Sequence, residues 1–201
     1  MASATKKLDI INSMIATTGV APLAASDTTH PSYLEADSIL EEVLEDFGAK
    51  QLWFNTSKRT LQPDSVTGQI VLPSNTMDCA PTCITDNFVV RGRFLFDMTN
   101  NTDNIAKEVE CYITVRVALN DMPPAALQYV RAEARLKFFV DQDGSDKKIR
   151  IYEQAVIRKS NDLESRNLRL QRNNYFLGLG YAQFATRRGA RGNFIRNSNR
   201  S

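Results

Sequence analysis

Apolar residues recur at steps of three and four in two segments near the start of the chain. The first segment, about residues 5–17, carries Leu8, Ile11, Met14 and Ile15 at this spacing. The second, about residues 31–47, carries Tyr33, Ala36, Leu40, Val43 and Phe47. Gly19 follows the first segment, Pro31 opens the second, and Gly48 follows it. These patterns predict two amphipathic helices, because glycine commonly ends a helix and proline suits its first turn.

The pattern changes after Gly48 to short runs that are rich in β-branched and aromatic residues. The best strand candidates are GQIVLP (68–73), NFVVRGRFLFD (87–97) and ECYITVRVAL (110–119). In the last run, Cys111, Ile113 and Val115 alternate with more polar residues, as in a half-buried strand. Gly92 interrupts the second run and indicates a tight turn or a bulge. Residues 51–119 are therefore predicted to form a small sheet or sandwich.

Helical spacing returns after Pro123 and Pro124. One stripe contains Leu127, Val130, Ala134 and Phe138, and a second segment, about 146–172, places Ile149, Val156, Leu163 and Leu170 seven apart. Asp143 and Gly144 separate the two helices. The order of elements predicts an α+β fold. Residues 1–50 and 120–172 would form a four-helix bundle, residues 51–119 a β insertion, and residues 173–201 an extended C-terminal arm.

The stretch from Gln51 to Cys79 marks the change from helical to β pattern and contains Trp53, the only tryptophan. We expect Trp53 and Phe54 to hold the first strand against the helical core. Pro63 and Gly68 would shape a turn, and Leu72 and Pro73 would end the next strand.

Charge is unevenly distributed, although the net charge is only +2. Residues 1–164 carry 17 Lys or Arg and 23 Asp or Glu, whereas residues 165–201 carry eight arginines and no acid. The candidate docking residues of the arm are Tyr175, Phe176, Tyr181, Phe184, Arg187, Arg188, Arg191 and Arg196. Arginine interleaved with aromatic residues suits either a nucleic-acid backbone or a protein interface, and the sequence leaves both interpretations open.

Residues that could support catalysis are sparse. The only histidine, His30, lies in a proline-flanked connection without the context of a nucleophilic triad. Cys79, Cys83 and Cys111 do not match a known zinc spacing, and their odd number favours a reducing compartment. We therefore expect no enzyme activity, no metal and no cofactor. The sequence has no run of about 18 apolar residues, so we expect no membrane insertion. The N-terminus does not resemble a signal peptide.

Four blocks, in order, resemble the tail tubular protein A family of short-tailed, Autographiviridae-type podophages. They are WFNT, LQPDSVTGQIVLPSN, VVRGRFLFDMTNNT and CYITVRVALNDMPPAALQYVRAEARLKFF. The resemblance covers about residues 8–177 and implies a helical core with a β insertion. It also implies a head-to-tail adaptor in the virion tail, assembled in the host cytoplasm.

The same resemblance implies a set of partners. Twelve copies would form a homo-oligomeric ring between the portal protein and the nozzle protein, tail tubular protein B. Tail fibres would seat near that junction, genomic DNA would pass through the channel, and the C-terminal segment would reach toward the portal. The alternatives are a nucleic-acid-binding protein that uses the arm, or a polysaccharide-degrading tail component, for which the sequence offers no residue set.

Overall fold

The computed structural model describes residues 2–25, 27–83, 87–142 and 146–176, with side chains described from residue 6 to residue 171 of these ranges. The helices are α1 (Ala2–Ile15), α2 (Pro31–Gly48), α3 (Pro124–Gln142) and α4 (Asp146–Phe176), with a 3-10 turn at Ala16–Thr18. The strands are β1 (Thr56–Leu61), β2 (Thr76–Pro81), β3 (Phe88–Arg91), β4 (Phe94–Asp97) and β5 (Val109–Val115). The fold is thus α+β, with the strands placed between α2 and α3.

The ends of the first two helices follow from their flanking residues. Gly19 has φ of 83° and ends the 3-10 turn with its backbone N–H bonded to the carbonyl of Ala16. Such a left-handed conformation favours glycine. His30 caps α2: its Nδ1 accepts a hydrogen bond from the backbone N–H of Ser32, at 3.2 Å. The single histidine therefore has a structural position at a helix start.

Helices α1, α2 and α3 pack on one another around a shared core, and α4 packs along α3. The core includes Ile11, Leu40, Phe47, Val130 and Phe138, all nearly inaccessible to solvent. The rings of Phe47 on α2 and Tyr129 on α3 stack at 5.5 Å between centroids. These are the apolar stripes that the helical spacing predicts, and burying them stabilises the fold.

The larger sheet is antiparallel, with strand order β1-β5-β2. Strand β5 lies in the centre, pairing Ser57 of β1 and Cys79 of β2 with the same residue, Ile113. Alternate residues of β5 enter a second core, whose fully buried members are Ile70, Leu72, Leu95, Val109, Cys111 and Ile113. Thr114 departs from the alternation because it is also buried, and its hydroxyl lies 3.2 Å from that of Thr56 on β1.

The run GQIVLP does not form a regular strand, contrary to the sequence expectation. It makes only isolated bridges, from Gln69 to Asn104 and from Val71 to Phe94. Its alternation is nevertheless real, because Ile70 and Leu72 are buried while Val71 is half exposed. The alternation of apolar residues in this segment therefore indicates that one side is buried, and not that the segment is a strand of a β-sheet.

The run NFVVRGRFLFD forms the antiparallel hairpin β3–β4, with Gly92 in its turn at φ of 62°. Gly68 also has a positive φ, 67°, and a Cβ at this position would collide with the side-chain oxygen of Asn104. The carbonyl of Gly68 accepts a hydrogen bond from the N–H of Ile105, at 2.8 Å. Glycine at position 68 therefore allows two loops of the β region to approach closely.

Candidate functional site

The junction between helices and strands is organised by Asn55, which is 4% exposed. Its Oδ1 accepts a hydrogen bond from the backbone N–H of Leu52, at 2.8 Å. Its Nδ2 donates to the carbonyl of Gly48 at 3.2 Å and to that of Lys50 at 2.9 Å. The backbone carbonyl of Asn55 also accepts from the N–H of Val115, at 2.8 Å. One side chain thus closes the end of α2 while its backbone joins β5.

An ionic network crosses the same junction on the outside. Lys7 of α1 lies 2.6 Å from Asp37 and 3.0 Å from Glu41, both on α2. Arg116, which follows β5, lies 2.6 Å from the second oxygen of Glu41. The network therefore connects α1, α2 and the end of the sheet.

The charges of this network shift the titration of its members. The hydrogen bond from Lys7 lowers the pKa of Glu41, with a further contribution from Arg116. Burial disfavours the charge on Lys7, but its hydrogen bonds to Asp37 and Glu41 outweigh that effect and raise its pKa. Both groups are therefore charged near neutral pH, as an ion-pair network requires.

Trp53 and Phe54 lie between the end of α2 and the start of β1. Both are half-buried against the helical core, and their rings meet edge to face at 5.2 Å. The backbone N–H of Trp53 donates to Oδ1 of Asn167 on α4, at 3.0 Å. The loop that carries the tryptophan therefore also holds α4.

The other four candidate residues of the β region lie farther along the chain. Pro63 precedes a loop that is closed by backbone hydrogen bonds between Asp64 and residues 68 and 69. Leu72 belongs to the second core, and Pro73 is half-buried beside it. These residues shape the β region and are not brought together with Trp53.

The candidate docking residues of the arm divide at the end of α4. The backbones of Tyr175 and Phe176 form its last turn. The remaining six lie outside the described residues: Tyr181, Phe184, Arg187, Arg188, Arg191 and Arg196. Docking by this set stays a prediction.

Helix α4 extends well past the helix on which it packs. It has 31 residues against 19 in α3, which correspond to lengths of about 46 Å and about 28 Å. Leu163 is 3% exposed, whereas Leu170, one heptad later on the same side, is 40% exposed. The end of α4 therefore leaves the core of its own chain.

Two thiols are buried together in the β region. Cys79 and Cys111 face the second core from neighbouring strands. The hydrogen bond to Cys111, together with burial, raises the pKa of the Cys79 thiol and keeps it protonated. Within the described ranges no group of three or more His, Cys, Asp or Glu is arranged to hold a metal ion.

Sequence reasoning missed three residues that hold the parts together: Asn55, Arg116 and Asn167. Asn55 had a visible signal, because a short polar residue directly after two aromatic residues and a helix end is typical of a side chain that bonds the backbone. Arg116 and Asn167 had none, because their partners are remote in the chain.

Exposed apolar side chains and surface charge distinguish this chain more than any reactive group does. Exposed apolar and charged side chains of this kind are common where a protein contacts another protein. The family model for tail tubular protein matches residues 8–173, so the chain belongs to the tail tubular protein family. It is a structural component of a bacteriophage tail. No curated protein matches the chain. Among the described residues, none of the helices combines the length and the hydropathy that a membrane span requires.

Proposed function

We propose that this chain is the head-to-tail adaptor of a short-tailed phage, the tail tubular protein A type. Twelve copies form a ring between the portal and the nozzle protein, near the seat of the tail fibres. The bundle of helices forms the wall of the ring, and the genomic DNA passes through its centre. The ring is assembled in the host cytoplasm.

The observation that carries this proposal is the relation between the family match and the end of α4. The match covers the body, residues 8–173, and α4 continues past α3 to Phe176. The arginine-rich arm therefore begins just after Leu170, which is 40% exposed. An arm attached there is suited to engage a neighbouring protein, and arginine and aromatic residues favour interfaces.

Deletion of residues 173–201 tests the role of the arm. Full-length and shortened chains are mixed with portal protein, and the mass of the complexes is measured. The full chain is expected to form a complex of twelve copies on the portal, and the shortened chain is expected to remain unattached with unchanged melting. Attachment of the shortened chain at full strength would refute portal docking by the arm.

The five arginines and the absence of acidic residues in residues 173–201 favour a second candidate, nucleic-acid binding by the arm. Binding to phosphates releases counterions, so DNA affinity would fall steeply with salt. Measuring DNA affinity at two salt concentrations, with and without residues 173–201, separates the candidates. A steep salt dependence that vanishes with the deletion, without any portal attachment, would favour DNA binding.

A further inference from the structure

Helices α2 and α4 lie on opposite sides of α3. On one side, Tyr129 and Lys137 of α3 contact α2, through Phe47 and through Glu42 and Asp46. On the other side, α3 contacts α4 through Gln128, Arg135 and Phe139. The outer faces of α2 and α4 therefore point away from each other, on opposite flanks of the helical layer.

The outer face of α2, here called the acidic face, consists of Leu34, Ser38, Glu42 and Glu45, and Glu42 lies at its edge toward α3, where it pairs with Lys137. These residues follow steps of four, four and three, so they line one side of the helix. Helix α2 contains six acidic residues and no basic one. Lys137 alone faces both Glu42 and Asp46, and Glu45 makes no ion pair within the described part of the chain. The face keeps an excess of negative charge, with Leu34 57% exposed at one end.

The outer face of α4, here called the basic face, consists of two adjacent stripes. One contains Arg150, Ile157 and Leu168, and the other contains Ile151, Arg158 and Arg169. Steps of seven and eleven are close to whole helical turns, so each stripe runs along one line. Ile151, Ile157 and Leu168 are 60%, 57% and 56% exposed. Helix α4 carries eight Lys or Arg against four Asp or Glu.

We propose that the acidic face of one copy binds the basic face of the next copy. The charges are complementary, and the exposed apolar residues on both faces can be buried together. Because the two faces differ and lie on opposite flanks, the contact is head-to-tail and repeats from copy to copy, as the contact in a ring does. The inference rests on the proposed function for the closure of the ring, and it names the surfaces that build it.

The composition of the basic face favours a protein partner over DNA. Contacts to a DNA backbone are made by cations and polar groups, and three exposed aliphatic side chains would gain little from phosphates. A protein surface that combines carboxylates with an apolar residue satisfies both components. The acidic face of the same chain has this composition.

Charge reversal tests the contact on the full-length chain. One variant combines Arg158→Glu with Arg169→Glu, and the other combines Glu42→Lys with Glu45→Lys. Sedimentation velocity over a range of concentrations measures self-association of each. Each variant alone is expected to self-associate at least about tenfold more weakly than the wild type, because like charges now face each other.

An equimolar mixture of the two variants is the decisive sample. The unchanged acidic face of the arginine variant can bind the unchanged basic face of the glutamate variant. At the next contact the two reversed faces meet, and their charges are again opposite. The mixture is expected to regain wild-type association. A control with the same change of charge as the Arg158 and Arg169 variant, Arg59→Glu with Arg93→Glu, alters two exposed residues of the β region and is expected to associate normally.

A wild-type chain that stays monomeric, variants that associate normally, or a mixture that remains dissociated would each overturn the proposal. Thermal melting of every variant identifies any that is misfolded, and the mixture supplies a positive signal that misfolding cannot produce. Portal binding by the same samples separates the two proposals. Charge-sensitive self-association without portal binding would refute the adaptor role alone, and portal binding that ignores charge reversal would refute this contact alone.

Discussion

The most informative single substitution is Asn55→Ala, at the junction of helices and sheet. The change removes the hydrogen bonds of the Asn55 side chain to the N–H of Leu52 and to the carbonyls of Gly48 and Lys50. Asn55 is 4% exposed, so water cannot replace these bonds without opening the junction. Each buried group that is left unpaired costs about 1 kcal/mol or slightly more. We expect a loss of about 3 kcal/mol in the free energy of unfolding.

Urea unfolding at low protein concentration measures this loss. Trp53, the only tryptophan, lies two residues away and reports the junction by fluorescence. With a denaturant slope of about 3 kcal/mol per molar, the expected shift of the midpoint is about 1 M toward lower urea. The matched control is Asn161→Ala, which alters an exposed asparagine on α4 and is expected to leave the midpoint within about 0.2 M of the wild type.

Two outcomes would refute the role given to Asn55. A midpoint shift below about 0.3 M at an unchanged slope would show that its hydrogen bonds are dispensable. A loss as large for Asn161→Ala as for Asn55→Ala would show that the effect is not specific to the junction. A loss of the expected size would support closure of the end of α2 by the Asn55 side chain, because the backbone bond from Val115 to Asn55 is retained in the variant.

Two further predictions concern the same junction. Because folding lowers the pKa of Glu41 from its ordinary value of 4.5, the charged side chain stabilises the fold at pH values above 4.5. This contribution is lost as the pH falls through the lowered pKa. Glu41→Gln should therefore cost under about 1 kcal/mol at pH 7, because the side chain is half exposed, and nothing at strongly acid pH; an equal gap between urea midpoints at both pH values would contradict this. Trp53→Ala should lower the free energy of unfolding, measured by circular dichroism, by about 2 kcal/mol. This is less than the loss of about 3 kcal/mol or more that removal of a fully buried ring causes. Unchanged melting with lost assembly would instead assign Trp53 to an interface.

The helices could be predicted closely because their signal is local. Apolar spacing and the flanking Pro31 and Gly48 indicate the bounds of α2 without any knowledge of the rest of the chain. Burial along a helix was less predictable. The seven-residue spacing predicts that Leu163 and Leu170 are both buried. Only Leu163 is buried, because α3 covers Leu163 and does not reach Leu170.

Strands were harder to predict because pairing depends on remote residues. Strand β1, TSKRTL, has four exposed residues in a row and no apolar alternation, so its sequence does not indicate a strand. It forms because β5 offers it a complete antiparallel partner, from Thr114 to Val109. The opposite holds for residues 68–73, whose alternation buries Ile70 and Leu72 without a continuous neighbouring strand. β-propensity here reflects tertiary context more than local preference.

Helix α4 combines two roles that its sequence keeps on separate faces. Residues that face α3 and the tryptophan loop, such as Tyr152, Leu163 and Asn167, attach it to its own chain. The opposite face carries isoleucine, leucine and arginine side chains that are exposed and lie outside the core of their own chain. Substitutions on the first face should therefore lower stability and assembly together, whereas substitutions on the second should lower assembly alone. That separation follows from the 3.6-residue repeat, since a helix covered on one side only can keep the other for a partner.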